Sequence, residues 1–275
     1  MKITKMHGLG NSQIILTDVE QDLREKTGLK YNQIALGLAH QGFGVGSDQV
    51  LYILPSDEAD YRMRIFNRDG TEAEMCGNGI RCVGKYLYDR EMVGERFSIE
   101  TLGGIKDLEI IDNNQTFVKV NMGQGKIIES DKEVLGYSGN FVSVGNPHYV
   151  LFGDDFSEEM AKQEGPKLEN AEEFSPEKTN VGFADLADNE NLKLYVWERG
   201  AGLTLACGTG ACAAAFVAHK QKGANSVVNV DLLGGSLKIK IEKDNRIFLI
   251  GPAEYVFSGD VKDISSIYSN VSKLK

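Results

Sequence analysis

The chain has 275 residues, enough for two domains that each have a hydrophobic core. Its 40 acidic residues outnumber its 30 basic ones, so the formal net charge is -10. This acidic balance argues against nucleic acid or an anionic membrane as a partner, but leaves small charged molecules as candidate ligands. The chain also has no apolar run of the roughly 18 to 20 residues that a membrane span needs, and it opens without the apolar segment of a signal peptide. We therefore expect a cytoplasmic protein whose four cysteines stay reduced.

The first half is predicted to contain strands and one main helix. Two short strands bracket a Gly-Asn loop within residues 1–18, and helical spacing predicts a helix over 31–40 with Asn32 as its N-cap. A glycine-rich stretch at 42–49 predicts a tight loop that leads into a strand, with a loop lining a substrate site as the alternative. Strands are predicted at 50–54, 61–66, 96–101 and 105–121, the last broken by a turn at 112–114.

The second half repeats this pattern. It opens with two strands around Gly145-Asn146, over residues 141–152, followed by a polar helix at about 156–164. A charged connector with Pro166 is predicted at 165–178. Further strands are predicted at 179–186, 192–198, 226–231, 236–242 and 246–250. Each half is thus predicted as an α+β unit with one principal helix.

A Cys-Gly-x-Gly turn occurs once in each half, beginning at Cys76 and at Cys207, and a helical apolar pattern follows both turns. A thiol directly before a helix lies where backbone N–H groups and the positive end of the helix dipole favour its thiolate. The same N–H groups form a ready site for an anion such as a carboxylate. The two turns therefore suggest a pair of thiols that face one substrate from opposite sides.

The other two cysteines, Cys82 and Cys212, are predicted to pack inside the two helices. The cysteine spacings miss the Cys-x2-Cys pattern of structural zinc, so we expect no metal site. Taken alone, a cysteine such as Cys76 or Cys207 is more often a buried, inert residue than a reactive one. A non-catalytic metal-binding or redox thiol protein also remains open at this point.

Five stretches resemble the signatures of the diaminopimelate epimerase family, in that family's order. They are KMHGLGN at 5–11, DGTEAEMCGNGIRC at 69–82, GNPH at 145–148, WERGAG with TLACGTGAC between 197 and 212, and GPAE at 251–254. The resemblance implies two similar α/β domains, each a small barrel-like sheet around a central helix, with the active site between them. The implied domains are 1–117 with about 262–275, and 118–261.

The resemblance also implies an activity, a cofactor-independent isomerase that interconverts LL-2,6-diaminopimelate and its meso form for lysine and peptidoglycan precursor synthesis. The implied proton-transfer pair is Cys76 and Cys207, assisted by His148 and Glu198. The backbone amides implied to bind the α-carboxylate belong to Gly77, Asn78, Gly208 and Thr209. The side chains implied to bind the rest of the substrate are Asn11, Gln49, Asn67, Asn146, Asn180, Glu198 and Arg199. A homodimer is implied as well.

The alternative within this chemistry is another two-thiol amino-acid racemase, such as a histidine racemase. A substrate with no second carboxylate would not need the grouping of Asn67, Asn180 and Arg199, and this chain has all three. Ser12 and Arg68 depart from the usual family residues beside two motifs. Neither departure replaces a cysteine.

Overall fold

The computed structural model describes residues 1–20, 22–111 and 117–274, so the predicted turn at 112–114 lies outside it. Its α-helices are α1 Leu23–Thr27, α2 Tyr31–Ala39, α3 Gly77–Asp89, α4 Glu158–Glu169, α5 Gly208–Gln221 and α6 Ile264–Ser272. Among the helices described, none has both the length and the apolar character needed to cross a bilayer.

The strands outnumber the helices. The first nine are β1 Lys2–Gly8, β2 Asn11–Thr17, β3 Gln49–Leu54, β4 Tyr61–Asn67, β5 Glu72–Ala73, β6 Arg96–Thr101, β7 Gly104–Ile110, β8 Phe117–Gln124 and β9 Lys126–Val134. The others are β10 Tyr137–Ser143, β11 Pro147–Phe152, β12 Asn180–Leu186, β13 Asn191–Glu198, β14 Gly202–Leu203, β15 Val227–Leu232, β16 Gly235–Ile241, β17 Arg246–Pro252 and β18 Glu254–Asp260. This mixture of helices and sheet confirms the predicted α+β class.

The chain divides into two compact units, Met1–Val120 with Pro252–Lys275, and Asn121–Gly251. The return to the first unit thus begins at Pro252, before the expected residue 262. The reason is β18, which pairs antiparallel with β1 so that Asp260 lies opposite Lys2. A pairing between the two ends of the chain leaves no local signal in the sequence.

The first unit is a mixed sheet against α3. Strands β1 and β2 form an antiparallel hairpin, β2 runs parallel to β3, and β3 runs antiparallel to β4. Strand β4 then pairs antiparallel with β5 and parallel with β6, and β6, β7 and β8 continue antiparallel. Helix α3 packs on this sheet through Ile80, Val83 and Leu87, which are all fully buried. These are the positions that the helical spacing predicts as its apolar face.

The second unit repeats the same order of pairings. Strands β10 and β11 form the antiparallel hairpin, β11 runs parallel to β12, and β12 runs antiparallel to β13. Strand β13 pairs antiparallel with β14 and parallel with β15, and β15, β16 and β17 continue antiparallel. Helix α5 takes the place of α3 and packs on this sheet. The two cysteine turns therefore belong to a duplicated fold.

Two local predictions are wrong. Helix α2 begins at Tyr31 with Lys30 as its N-cap, and the Gln33 side chain accepts a hydrogen bond from the Lys30 N–H at 2.8 Å, so Asn32 is inside the helix. Helix α4 does not end near residue 164 but continues through Pro166 to Glu169. A proline inside a helix costs about 3 kcal/mol. Packing of the buried Leu168 against the core of this unit offsets that cost.

Candidate active site

Each predicted thiol is the N-cap residue of its helix. The Sγ atom of Cys76 accepts a hydrogen bond from the Gly79 N–H at 3.3 Å, and Sγ of Cys207 accepts one from the Gly210 N–H at 3.3 Å. A sulfur thus takes the capping role that a serine or aspartate oxygen usually has. The first N–H groups of a helix have no partner within the helix and form its positive end. Both turns therefore combine a thiol with an anion-binding helix terminus.

The surroundings of Cys207 keep it protonated. Its side chain is buried, and burial raises the pKa of the thiol well above its usual value. The neighbouring Glu198 carboxylate raises this pKa further, which outweighs the opposing effects of the Thr209 hydroxyl and the Gly210 N–H. At neutral pH Cys207 is therefore a thiol that can donate a proton.

Cys76 is half-buried and lies beside the predicted substrate-binding residue Asn11. The thiol donates to Oδ1 of Asn11 at 3.7 Å. Asn11 is held on two sides, because its Nδ2 donates to Asp48 at 3.3 Å and its Oδ1 accepts from Nε2 of Gln13 at 2.5 Å. No local pattern in the sequence marks Gln13 as a residue of the site.

The other predicted residues of the first unit lie on adjacent elements. Gln49 and Asn67 face each other across β3 and β4, and Nε2 of Gln49 donates to Oδ1 of Asn67 at 3.0 Å. At the start of α3, the buried Arg81 donates to the Gly77 carbonyl at 2.9 Å and to Oδ1 of Asn78 at 2.8 Å. Arg81 thereby fixes the turn whose backbone amides are predicted to bind a carboxylate.

In the second unit, a chain of hydrogen bonds leads from His148 to Cys207. His148 contacts Oδ1 of Asn146 through Nε2 at 3.1 Å, and Nδ2 of Asn146 donates to the Thr209 hydroxyl at 3.3 Å. That hydroxyl lies 3.6 Å from Sγ of Cys207. Burial, and then the Arg199 charge, lower the pKa of His148 to about 3, so the imidazole is neutral at physiological pH. Because Oδ1 can only accept, Nε2 carries the proton and donates it.

Glu198 and Arg199 lie at the end of β13 and in the turn after it. Oε1 of Glu198 accepts a hydrogen bond from the Thr204 hydroxyl at 2.5 Å. The Arg199 N–H donates to Oδ1 of Asn180 at 3.0 Å, which ties the ends of β12 and β13 together. The Arg199 side chain is exposed and can meet a carboxylate.

Glu169, the last residue of α4, also belongs to this region, although no local pattern in the sequence marks it. Its buried carboxylate accepts from Nε1 of Trp197 at 2.7 Å and from the Gly200 N–H at 3.0 Å. It therefore holds both sides of the turn that carries Glu198 and Arg199. The expected end of α4 near residue 164 placed Glu169 in a connector, where its burial could not be foreseen.

In each unit, the predicted residues lie at or beside the termini of strands and at the start of the cysteine-capped helix. The first unit contains Asn11, Gln49, Asn67, Cys76, Gly77 and Asn78. The second contains Asn146, His148, Asn180, Glu198, Arg199, Cys207, Gly208 and Thr209. As predicted, Cys82 and Cys212 are fully buried in the helices, and burial raises the pKa of Cys82 to about 12. The part of the chain that the structure describes contains no cluster of three or more His, Cys, Asp or Glu side chains suited to a metal ion.

Comparison with solved structures defines the class of fold. A hydroxyproline epimerase from Agrobacterium vitis, solved with bound trans-4-hydroxy-L-proline, superposes with a TM-score of 0.73 over 95% of this chain and 90% of its own, at 15% identity. A phenazine biosynthesis protein of the PhzF family from Bacillus anthracis gives 0.73 over 95% of this chain and 99% of its own, at 17% identity. The fold is thus the two-domain fold of these epimerase-like proteins.

Sequence comparison identifies the family. The family model described as diaminopimelate epimerase matches residues 3–128 and 140–256. A diaminopimelate epimerase of Methanococcus maripaludis strain C5 is 44% identical over 95% of this chain and 99% of its own. One from Caldanaerobacter subterraneus subsp. tengcongensis is 41% identical over 95% of this chain and 100% of its own. The chain belongs to the diaminopimelate epimerase family, which confirms the predicted family and enzyme class, an isomerase.

Proposed function

We propose that this enzyme interconverts LL-2,6-diaminopimelate and meso-diaminopimelate, with Cys76 and Cys207 as the two proton-transfer groups. The observation that carries the proposal is the duplicated cap, since a thiol at a helix N-terminus occurs at matching positions of both units. The relatives that bear the name diaminopimelate epimerase support the substrate.

Two thiols account for inversion at one carbon. The thiolate of Cys76 removes the Cα proton and becomes a thiol, and the electron pair left on Cα takes a proton from the Cys207 thiol, which becomes a thiolate. The other stereoisomer reacts with the two roles exchanged. The Cα–H is a weak acid, so the developing charge needs fixed hydrogen-bond donors, which the amides of Gly77, Asn78, Gly208 and Thr209 supply at the helix N-termini.

His148 and Glu198 act on Cys207 in different ways. Glu198 favours the protonated form of Cys207, as the raised pKa of this thiol indicates. Neutral His148 orients Asn146, which in turn orients the Thr209 hydroxyl beside the sulfur. Glu198 therefore prepares Cys207 as the acid for one direction of the reaction, whereas the Thr209 hydroxyl that His148 helps to orient lowers the pKa of Cys207 and stabilises the thiolate that this step leaves.

Binding of the distal end of the substrate is assigned to side chains that can meet an ammonium and a second carboxylate. They are Asn11, Gln49, Asn67, Asn146, Asn180, Glu198 and Arg199. Arg199 is the cation of this set, and its guanidinium can bind a carboxylate through two parallel hydrogen bonds. A plain amino acid, or histidine, would leave Arg199 without that partner, which favours diaminopimelate over such substrates.

The reaction in deuterium oxide tests this assignment. LL-diaminopimelate should turn into the meso form with deuterium at the inverted centre, and Cys76→Ala and Cys207→Ala should each lose the conversion. Cys82→Ala and Cys212→Ala are the matched controls, because each removes a buried thiol from the same helix. Normal conversion by either of the first two variants would contradict the two-thiol mechanism. Faster turnover of histidine or another plain amino acid would contradict the substrate.

We also propose that the enzyme is a cytoplasmic homodimer. Strand β18 pairs with β1, and Tyr255, Val256 and Phe257 on it are exposed. A group of exposed apolar side chains is a surface for association with another chain. Sedimentation equilibrium of the protein and of Val256→Lys should show a dimer for the first and a shift toward monomer for the second. A monomeric parent protein would contradict the proposal.

A further inference from the structure

The duplicated fold assigns Gln13 and His148 to the same position. Gln13 of β2 lies opposite Gln49 of the parallel strand β3, and His148 of β11 lies opposite Asn180 of the parallel strand β12. Each residue also lies two positions after the asparagine at the turn of its hairpin. The two side chains differ in chemistry, but the sheet presents them from equivalent places.

The two residues also make the same kind of hydrogen bond. Nε2 of Gln13 donates to Oδ1 of Asn11 at 2.5 Å, and Nε2 of His148 meets Oδ1 of Asn146 at 3.1 Å. In the first unit the same Oδ1 accepts from the Cys76 thiol at 3.7 Å. An N–H donor therefore orients an asparagine near the reactive cysteine in both units.

Stability does not explain a glutamine at this position. Gln13 is fully buried, and its Oε1 has no hydrogen-bond partner among the residues described. The next residues of β2, Ile14, Ile15 and Leu16, are apolar and buried. An unsatisfied buried polar atom costs about 1–3 kcal/mol, so a methionine of similar size would be no worse for the fold. A buried amide with only one of its two polar atoms hydrogen-bonded points to a role other than stabilising the fold.

We propose that Gln13 is a positioning residue that holds Asn11 with its carbonyl oxygen toward Cys76, and thereby favours the protonated form of that thiol. Asp48 supports the same orientation, since it accepts from Nδ2 of Asn11. Without the Gln13 N–H, the Asn11 amide can turn its own N–H toward the sulfur, which stabilises the thiolate. In the proposed reaction, Cys76 is the base for one stereoisomer and the acid for the other. The orientation of Asn11 sets the balance between the thiolate and the thiol of Cys76, so the inference rests on the proposed function.

Among the residues described, the Gln13 side chain makes its hydrogen bond to Asn11 and none to the charged and titratable groups near Cys76. Asp48 comes from the loop before β3 and reaches the thiol through Asn11. Arg81 and Cys82 come from α3, where Arg81 is bound to the first turn and the Cys82 thiol is fully buried. A change in Cys76 reactivity after substitution of Gln13 therefore reports on the orientation of Asn11.

The test is the rate of alkylation of Cys76 by iodoacetamide at pH 7.5, followed by peptide mass mapping. Gln13→Met removes the N–H donor at nearly constant volume and should speed alkylation by about two- to ten-fold, the range that one net hydrogen bond gives. Gln13→His gives the first unit the residue type that the second unit has at His148. The Nε2–H of this histidine can donate to Asn11. This variant should bring the rate back toward that of the parent protein.

Cys82, in the same helix and buried, is the internal control for loosening of the fold. Faster labelling of Cys76 alone in Gln13→Met, reversed in Gln13→His, supports the proposal. An unchanged rate in Gln13→Met, a rise that Gln13→His does not reverse, or a parallel rise at Cys82 overturns it. Alkylation needs no turnover, so its rate tests the role of Gln13 independently of the epimerase assay. A failure of the proposed reaction would instead appear as a lack of epimerisation by the parent protein.

Discussion

Truncation of Glu169 should destabilise the second unit strongly, although this residue contacts none of the predicted catalytic groups. Its buried carboxylate accepts two hydrogen bonds, at 2.7 Å from Trp197 and at 3.0 Å from Gly200. Hydrogen bonds to a charged group contribute about 1.5–3 kcal/mol each, so Glu169→Ala should cost about 3–6 kcal/mol. Glu169→Gln can keep one acceptor and should cost about half as much. Whole domains are stable by only about 5–15 kcal/mol, so the effect is large.

Urea unfolding measures this cost, and the chain contains its own probe. Trp197 is the single tryptophan and donates directly to Glu169, so its fluorescence reports on this contact and on unfolding. The matched control is Glu173→Ala, which removes an exposed glutamate a few residues away and should change the free energy of unfolding by less than about 0.5 kcal/mol.

The same substitution should lower activity in molecules that remain folded. The turn that Glu169 holds carries Glu198 and Arg199, and small displacements of positioned groups cost large factors in rate. Glu169→Ala assayed at low temperature, where it stays folded, should therefore have a reduced kcat/KM. An unfolding free energy equal to that of Glu173→Ala would refute the reasoning, because it would mean that the two hydrogen bonds contribute nothing.

Three further changes have expected outcomes. Glu198→Gln removes the charge beside Cys207, so the pKa of this thiol should fall and its alkylation at pH 8 should quicken; an equal or slower rate by mass mapping would contradict this. Gly165→Ala places a Cβ 2.6 Å from the indole ring of Trp197 and should lower the free energy of unfolding in urea by about 1–3 kcal/mol. Gly94→Ala, whose Cβ meets no atom within 4 Å, should have little effect. The pKa of His148 is lowered to about 3, so below pH 6.5 the unfolded chain binds a proton that the folded protein does not, and stability should fall as the pH drops from 6.5 toward 3. His148→Gln should weaken the dependence of stability on pH between pH 7 and 5. An identical slope in the variant and the parent protein would contradict the assignment of this dependence to His148.

The sequence predicts the cysteine turns well because a helix cap forms among neighbouring residues. Cys76 and Cys207 each bind the N–H of the residue three positions later. That residue is a glycine in both turns, where an added Cβ would lie 3.4 Å from Cβ of Cys76 and 3.2 Å from Sγ of Cys207. The apolar spacing after each turn likewise predicts which face of the helix is buried. Where two local signals compete, prediction from sequence is less secure. Pro166 predicts the end of α4, but packing of the residues around it keeps the helix intact.

Contacts between distant segments were decided by the tertiary structure. The carboxylate of Glu169 meets Trp197 only because α4 packs on β13, and β18 joins the first unit only because it pairs with β1. Gln13 could not be recognised from the sequence as the counterpart of His148, since their equivalence comes from strand register and the two side chains differ. By itself, the sequence determined the family, the two thiols and their helices, because these follow from residues that are adjacent in the chain. The partners that orient each thiol depend on how strands align, and that alignment is set by burial of the whole core.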